Sequence, residues 1–474
     1  MEVAGRPEKE TWEDFSSELK KVSVIAAPMV LVALLQYVMQ MMAVVMVLHI
    51  DRLSLSSVAI ATSFTNITGF SLLSGLVGGL ETLCGQACGA KQYNKIGVYT
   101  GTAIISLLLI CIPVSISWCF LDKFLILMGK DPLITLEACK YAIYLIPSLF
   151  CFAILKPLMR SLQSQSLISP LLVSSILALC LHIPLCWTFV LKLKMGSVGA
   201  AMAFNLANVF YLMLIVLYVK FASVCENTFV SFTNDALFGI KEFLWLAVPS
   251  AIMICLKWWS LELLLLISDM LPNPTLETTV LSISLTMSTL HFNIPYGLGA
   301  AASSRVSNEI GAGNLSAARQ AVRAVMFLAI SEAILVSRTL FSFAHFFGND
   351  HTNRTQVVSY VVSMTPFISI SFITDSLDAA TAGIARGGGW QHIGAYVNLV
   401  AFNLFGIPLA FVLGLPLHLK AKGLWIGIMI GSVIQATHMS LITGLTDWRK
   451  QAMKVEERLK NTSSLVDKDI NIKE

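Results

Sequence analysis

The sequence predicts an all-helical integral membrane protein of 12 transmembrane helices in two pseudo-symmetric six-helix lobes. Three observations lead there: a composition too apolar for water, twelve long apolar stretches, and landmarks that recur in the same order in both halves. Of the 474 residues, 56% are hydrophobic and 13% charged. A soluble domain carries about 25% Asp, Glu, Lys and Arg, so half that charge cannot cover a surface of this size in water. Readings as a soluble enzyme or a nucleic-acid binder are excluded on that ground. Segment 1–21 is polar and includes Glu, Asp and Lys, so no cleavable signal peptide is expected. The ten cysteines lie mostly in apolar runs without metal-ligand neighbours and read as small core residues.

A helix needs about 20 apolar residues to cross the hydrocarbon core. The first six stretches run over 22–48, 57–86, 98–121, 134–160, 168–191 and 197–221. The second six run over 240–271, 277–304, 320–346, 356–385, 392–415 and 423–446. Short turns with Gly, Pro, Asp and Lys separate them, and the runs are too long and continuous for barrel strands. Pro28 opens the first span as Pro249 opens the seventh, an interval of 221. The second span ends in Gln86-Ala87-Cys88-Gly89-Ala90 and the eighth in Asn308-Glu309-Ile310-Gly311-Ala312, an interval of 222. Arg160 closes the fourth and Arg386 the tenth, with Gln165 and Gln391 each five residues beyond; Ile183-Pro184 in the fifth matches Ile407-Pro408 in the eleventh. Six spans return the chain to its starting side, so the halves insert in parallel, a known transporter plan with sites near the midplane.

The expected organisation is an N-terminal segment 1–21, an N-lobe 22–221, a linker 222–239, a C-lobe 240–446 and a tail 447–474 that is helical at its start. An even number of spans puts both termini on one side. With the termini inside, 20 of the 32 Lys and Arg residues fall in inner segments and eight in outer loops, which by the positive-inside rule makes both termini cytoplasmic. The sequon at Asn353 then faces outward, and those at Asn314 and Asn461 do not. No nucleotide-binding Gly-x-x-x-x-Gly-Lys-Ser/Thr loop occurs, and Gly387-Gly388-Gly389 reads as a turn. An ion gradient is therefore the expected energy source.

Charges at membrane depth are costly and mark pairs or functional sites. The deepest are Lys257 and Glu262 in the seventh span, Glu332 in the ninth, and Asp375 and Asp378 in the tenth. One turn from Glu262 stand Trp258, Trp259, Leu265 and Leu266, none able to neutralise a carboxylate, so its partner must come from another helix. Asp375 and Asp378 are three apart and share a face. Lys257 and Glu262 are five apart, about 140° round the helix, and do not pair directly. Glu332 reads as structural, with Arg338 as a candidate partner at an unfavourable spacing. Glu81 reads equally as a structural partner of Arg160 or Lys91 and as a coupling residue. Trp258, Trp259, Phe292, Tyr296 and Met253 are candidates to line a cavity, the aromatic ones by cation–π contact. No histidine is assigned a role.

The segment Leu80-Glu81-Thr82-Leu83-Cys84-Gly85-Gln86-Ala87-Cys88-Gly89-Ala90-Lys91-Gln92-Tyr93 resembles the signature ending the second span of plant transporters of the multidrug and toxic compound extrusion (MATE) family, the detoxification proteins. Ile294-Pro295-Tyr296-Gly297-Leu298 through Arg305-Val306-Ser307-Asn308-Glu309-Ile310-Gly311-Ala312-Gly313-Asn314 resembles the signature of its eighth span. Further matches are Gly383-Ile384-Ala385-Arg386-Gly387 with Gly389-Trp390-Gln391, Leu271-Pro272-Asn273-Pro274, and Gly423-Leu424-Trp425-Ile426-Gly427. The resemblance covers Val22 to Asp447. It implies a V-shaped pair of six-helix lobes and proton-coupled export of organic compounds such as alkaloids, flavonoids, hormones or xenobiotics. It implies proton-coupling roles for Glu262 and Asp375, the latter standing eleven residues before Arg386, with Asp378 beside it. The chain departs from the family at Lys257, where an acidic residue is usual before the Trp pair. Either Lys257 pairs with Asp378, itself unusual at its place, or it biases the cavity toward anionic or neutral cargo, or it snorkels to water.

The expected function is a secondary active transporter exporting organic compounds in exchange for protons, with no cofactor beyond the proton gradient. The expected partners are a small organic substrate, protons and the lipid bilayer, with no nucleic acid and a monomeric state. The membrane is either the vacuolar or the plasma membrane. A channel or facilitator, or a non-transporting sensor of the same fold, is the rival reading, and a membrane-embedded enzyme lacks a nucleophile–base or metal constellation.

Overall fold

The computed structural model describes residues 12–48, 52–228, 230, 236–237, 239–348 and 356–470, with side chains except at 52, 227, 343–348 and 461–470. Among the described residues there is no strand. The long helices are α1 (Trp12–Leu48), α2 (Leu53–Gly89), α3 (Tyr93–Cys119), α4 (Pro132–Ser164), α5 (Ser169–Lys192) and α6 (Gly196–Phe221). A short 3-10 turn, Ser223–Thr228, follows. Then come α7 (Ile240–Ser268), α8 (Pro274–Gly311), α9 (Leu315–Gly348), α10 (Gln356–Gly388), α11 (Gln391–Gly414), α12 (Lys420–Leu445) and α13 (Trp448–Ile470). Sequon Asn353 lies outside the described residues.

Twelve helices match the expected spans, and eleven of them are long and apolar enough to cross a membrane. The exception is α8. It is 38 residues long but carries a run of Ser, Thr, His and Asn, and much of that polar surface is buried: Ser284, Ser288, His291, Ser303, Ser304 and Ser307 all face protein. Hydropathy thresholds assume a lipid-facing helix, whereas α8 turns these polar side chains onto protein.

Three expectations about boundaries change. Pro28 and Pro249 do not open their helices but lie inside them, where a missing N–H loosens the backbone ladder. The tail is helical through Ile470 rather than at its start alone. Trp448, Val455 and Leu459 of α13 are buried against the bundle, and Lys460 bonds Glu456 one turn back at 2.6 Å, which holds the Glu456 carboxyl below its ordinary value. Over residues 448–459, burial of an apolar stripe, not propensity alone, supports this helix.

The interval of the repeat reappears in the packing. α2 meets α7 where a Cβ on Gly75 would stand 2.6 Å from Ala251 Cα, and α8 meets α1 where a Cβ on Gly297 would stand 2.6 Å from Val30 N. Gly75 and Gly297 stand at the repeat interval, and so do Val30 and Ala251. At the end carrying α13, a Cβ on Gly89 would strike Asn308 O and one on Gly311 would strike Gln86 O; these are again repeat partners. α2 and α8 therefore cross on a pseudo-twofold axis, and only residues without a side chain allow the backbones so close.

Candidate functional site

α7 presents two charges to two different neighbours, as their five-residue spacing requires. Lys257 turns to α10, where its Nζ stands 2.8 Å from Asp375 Oδ1 and 2.8 Å from Asp378 Oδ2. The two aspartates reach one ammonium because they are three residues apart on one helix face. The Phe292 ring of α8 lies 5.3 Å from the same nitrogen, and Trp258 meets that ring edge-on at 5.6 Å. Asp378 Oδ1 is buried without a hydrogen-bond partner. Two carboxylates and one ammonium leave one formal negative charge in the cluster.

Glu262 turns the other way, to α2. Ser63 Oγ donates to Glu262 Oε2 at 2.6 Å. One turn back, Trp259 Nε1 donates to Ile67 O at 3.3 Å. Ile67 lies in a π-helical turn, Asn66–Phe70, within α2; its carbonyl also accepts from Ser71 Oγ at 3.0 Å. Such single turns widen the ladder and turn a carbonyl toward outside partners. Among the described residues no cation pairs with Glu262.

A third cluster closes the axis at the α13 end. Glu81 of α2 forms an ion pair with Arg160 Nε at 3.0 Å and accepts from Arg386 Nε at 2.9 Å. These are the two arginines that the duplication places at equivalent points of α4 and α10, joined by a single carboxylate. All three side chains are buried. Arg160 also donates to Gln163 Oε1 at 2.5 Å and to the Tyr296 hydroxyl of α8. Nearby, Thr82 Oγ1 donates to Arg386 O at 2.5 Å and Asn308 Nδ2 to Ser164 O at 3.0 Å, so the halves are laced together here.

The structure thus brings together Lys257, Asp375, Asp378, Phe292 and Trp258, and places Glu262 and Trp259 apart from them, against α2. Tyr296 belongs to the arginine cluster. Met253 does not line a cavity: it is buried, with its sulfur against Gly394 of α11. Glu332 does not meet Arg338. It takes His291 Nε2 at 2.9 Å and Ser376 Oγ at 2.5 Å, and the His291 ring lies flat on Phe372 at 3.9 Å. His291 and Glu332 sit on successive long helices, with no local spacing to reveal them. Lys156 of α4, a residue with no role assigned from the sequence, donates from Nζ to Gln36 Oε1 of α1 at 2.9 Å. A lysine within an apolar run was the available signal. Among the described residues no group of three or more His, Cys, Asp and Glu is placed to hold a metal ion.

The family model described as MatE matches twice, over residues 28–188 and 249–412. The chain belongs to the MATE family. Protein DETOXIFICATION 14 of Arabidopsis thaliana is 48% identical over 457 residues, covering 96% of this chain and 94% of its own length. Protein DETOXIFICATION 10 of the same plant is 46% identical over 459 residues, with coverage of 96% and 94%. The crystal structure of the eukaryotic MATE transporter AtDTX14 superposes with a TM-score of 0.90 at 48% identity, over 94% of this chain and 99% of that one. An outward-facing multidrug resistance MATE family transporter shares the fold at a TM-score of 0.79 and 18% identity, over 95% and 100%. The chain is a membrane transporter of the multidrug and detoxification class, not an enzyme. In this MATE transporter the two family matches begin at Pro28 and Pro249, the same pair of prolines that marks the start of the repeat.

Proposed function

We propose that this MATE transporter exports organic compounds from the cytoplasm in exchange for protons by alternating access, with Glu262, Asp375 and Asp378 as the proton-coupling residues. The supporting observation is the Glu262–Ser63 bond. It runs from α7 in the second half to α2 in the first, so its state bears on how the halves sit together. A hydroxyl donates to a carboxylate and accepts from a carboxylic acid. Glu262 can therefore gain or lose a proton without stranding a buried polar group. No fixed cation among the described residues holds it in one form.

Asp375 and Asp378 differ, because Lys257 occupies the space that a cation would take. In this reading they tune the cluster and pass one proton between them, while Glu262 carries the exchange. Phe292 and Trp258 form the aromatic wall over the cluster. The functional units are the lobes 22–221 and 240–446, joined by segment 222–239, with the chain acting as a monomer. Segments 1–21 and 447–474, with their many basic residues, face the cytoplasm. The membrane is that of the vacuole or the cell surface.

The test is transport by purified protein in proteoliposomes under an imposed pH gradient, with ethidium as the probe and sodium-free buffers on both sides. Wild type should accumulate dye until the gradient is collapsed. Glu262→Gln should insert at normal level and lose gradient-driven uptake. Normal uptake by Glu262→Gln at matched insertion would remove Glu262 from coupling, and uptake that follows an imposed sodium gradient would replace the proton.

A further inference from the structure

From the first lobe we infer a subsite for the anionic end of cargo, a carboxylate or phenolate, built on Lys156 and Gln36. This rests on the transport reading above and names the substrate chemistry that the first lobe would take. Lys156 has no carboxylate partner among the described residues. Its Nζ gives one hydrogen bond, to Gln36 Oε1 at 2.9 Å, and sits 4.8 Å from the Phe152 ring. An ammonium has three protons to donate, so two remain. Gln36 Nε2 is loosely held as well, at 3.5 Å from Tyr211 Oη and 3.7 Å from Met159 Sδ, the outer limit for a hydrogen bond. The spot is rich in donors and poor in acceptors, at a depth where a free cation is costly. An anion answers both deficits.

The position suits cargo. Lys156 stands one helical turn before Arg160 on the same face of α4, and Arg160 touches Tyr296 of the second half. That face therefore looks toward the other lobe, immediately beyond the laced end. Lys156, Gln36, Tyr37, Gln40 and Asn66 are all half-buried rather than sealed in the core. Among the described residues, Lys156 meets Gln36 from α1, Phe152 from α4 itself and the charge of Arg160, with Tyr211 of α6 behind Gln36. Arg160 is already bound to Glu81, so it does not compete for the anion.

The pseudo-twofold makes the contrast plain. Two turns before Arg386, α10 carries Asp378, and one turn before it Ala382. Two turns before Arg160, α4 carries Phe152, and one turn before it Lys156. One lobe thus presents an acid cluster with a built-in counterion, and the other a cation without one. Lys257 is spent on its aspartates and does not serve an anion; Lys156, without a carboxylate partner among the described residues, is available to one. A cargo with an acidic end and an aromatic body fits this polarity, its body against the Phe152 ring beside Lys156.

The experiment uses fluorescein, an aromatic anion, and full-length protein in detergent, with binding read by fluorescence anisotropy. Wild type should bind and release the dye to excess benzoate. Lys156→Met should weaken binding at least tenfold, and Lys156→Arg should stay within threefold of wild type. Lys156→Gln, which keeps polarity without charge, should behave as Lys156→Met. Melting temperature checks folding, and Lys156→Met should melt no lower than wild type, because a half-buried charge without an anionic partner contributes little to stability. No binding by wild type, or binding by Lys156→Met and Lys156→Gln equal to that of wild type, overturns the subsite. Fluorescein binding that depends on Lys156 while a pH gradient moves neither fluorescein nor ethidium would instead overturn proton coupling and leave the subsite standing.

Discussion

Lys257 illustrates how much a single side chain constrains in this membrane. Its ammonium holds two carboxylates at 2.8 Å each. At an effective dielectric of about 20, unit charges about 4 Å apart attract by about 4 kcal/mol before desolvation is counted. Removing one partner strands the others, at a typical cost of about 3–5 kcal/mol. Lys257→Met should therefore impair folding or transport, leaving two aspartates to repel each other. Asp378→Asn should do less harm, since Lys257 keeps Asp375. The double variant should recover part of the loss of Lys257→Met, because one carboxylate fewer faces the vacated space. A double-mutant cycle on melting temperature and ethidium transport measures this coupling. Strictly additive losses would mean that the contact carries no energy.

At the scale of the element, α8 is held by both lobes and by its own neighbours. Its Gly297 lets α1 approach so closely that a Cβ would stand 2.5 Å from Val30 Cγ2 and 2.6 Å from Val30 N. A backbone atom cannot step aside as a flexible side chain can. Gly297→Val should destabilise by at least about 1–3 kcal/mol, as overpacking does. Gly444→Ala, in α12 with nothing within 4 Å, should be neutral or raise the melting temperature, since Gly→Ala in a helix reduces unfolded-chain entropy. Melting curves of the two purified variants decide it, and a Gly297→Val that melts like wild type would refute the close crossing. α8 also shows where sequence reading reaches its limit. The repeat was legible because Gly89, Gly311, Arg160 and Arg386 serve one symmetric packing plan and so recur at nearly one interval. The pairing of Lys257 with Asp378 was legible because both depart together from the family pattern. His291 with Glu332 was not, because the contact joins α8 to α9 and leaves no mark on either helix alone. Lys156 was not, because a sequence displays a lysine but not the lack of a carboxylate beside it.

For the whole molecule, the decisive fact is that one carboxylate joins two arginines related by the repeat. Glu81 lies near the pseudo-twofold axis, and its equivalent in the second half is Ser303. Symmetry therefore supplies two cations and only one anion, so the lock forms only when both halves converge. Gln86 reinforces it, donating to Gly387 O of α10 at 3.4 Å and accepting from Arg458 of α13 at 2.9 Å. Lys95 of α3 holds the same tail helix through Leu459 O at 2.7 Å. In the proposed alternating-access cycle the α13 end opens at one stage, so the bonds that join the two halves there must break together. Glu81→Gln removes the charge that holds both guanidiniums and leaves two cations facing each other. In a cysteine-free background carrying Ser164→Cys, a buried position beside the lock, a maleimide reagent should react at least tenfold faster once Glu81→Gln is added. Ethidium transport should fall at the same time, because an end that does not close cannot alternate. Unchanged labelling with unchanged transport would show that the apolar crossings of α1 with α8 and α2 with α7, rather than the ion cluster, keep this end shut.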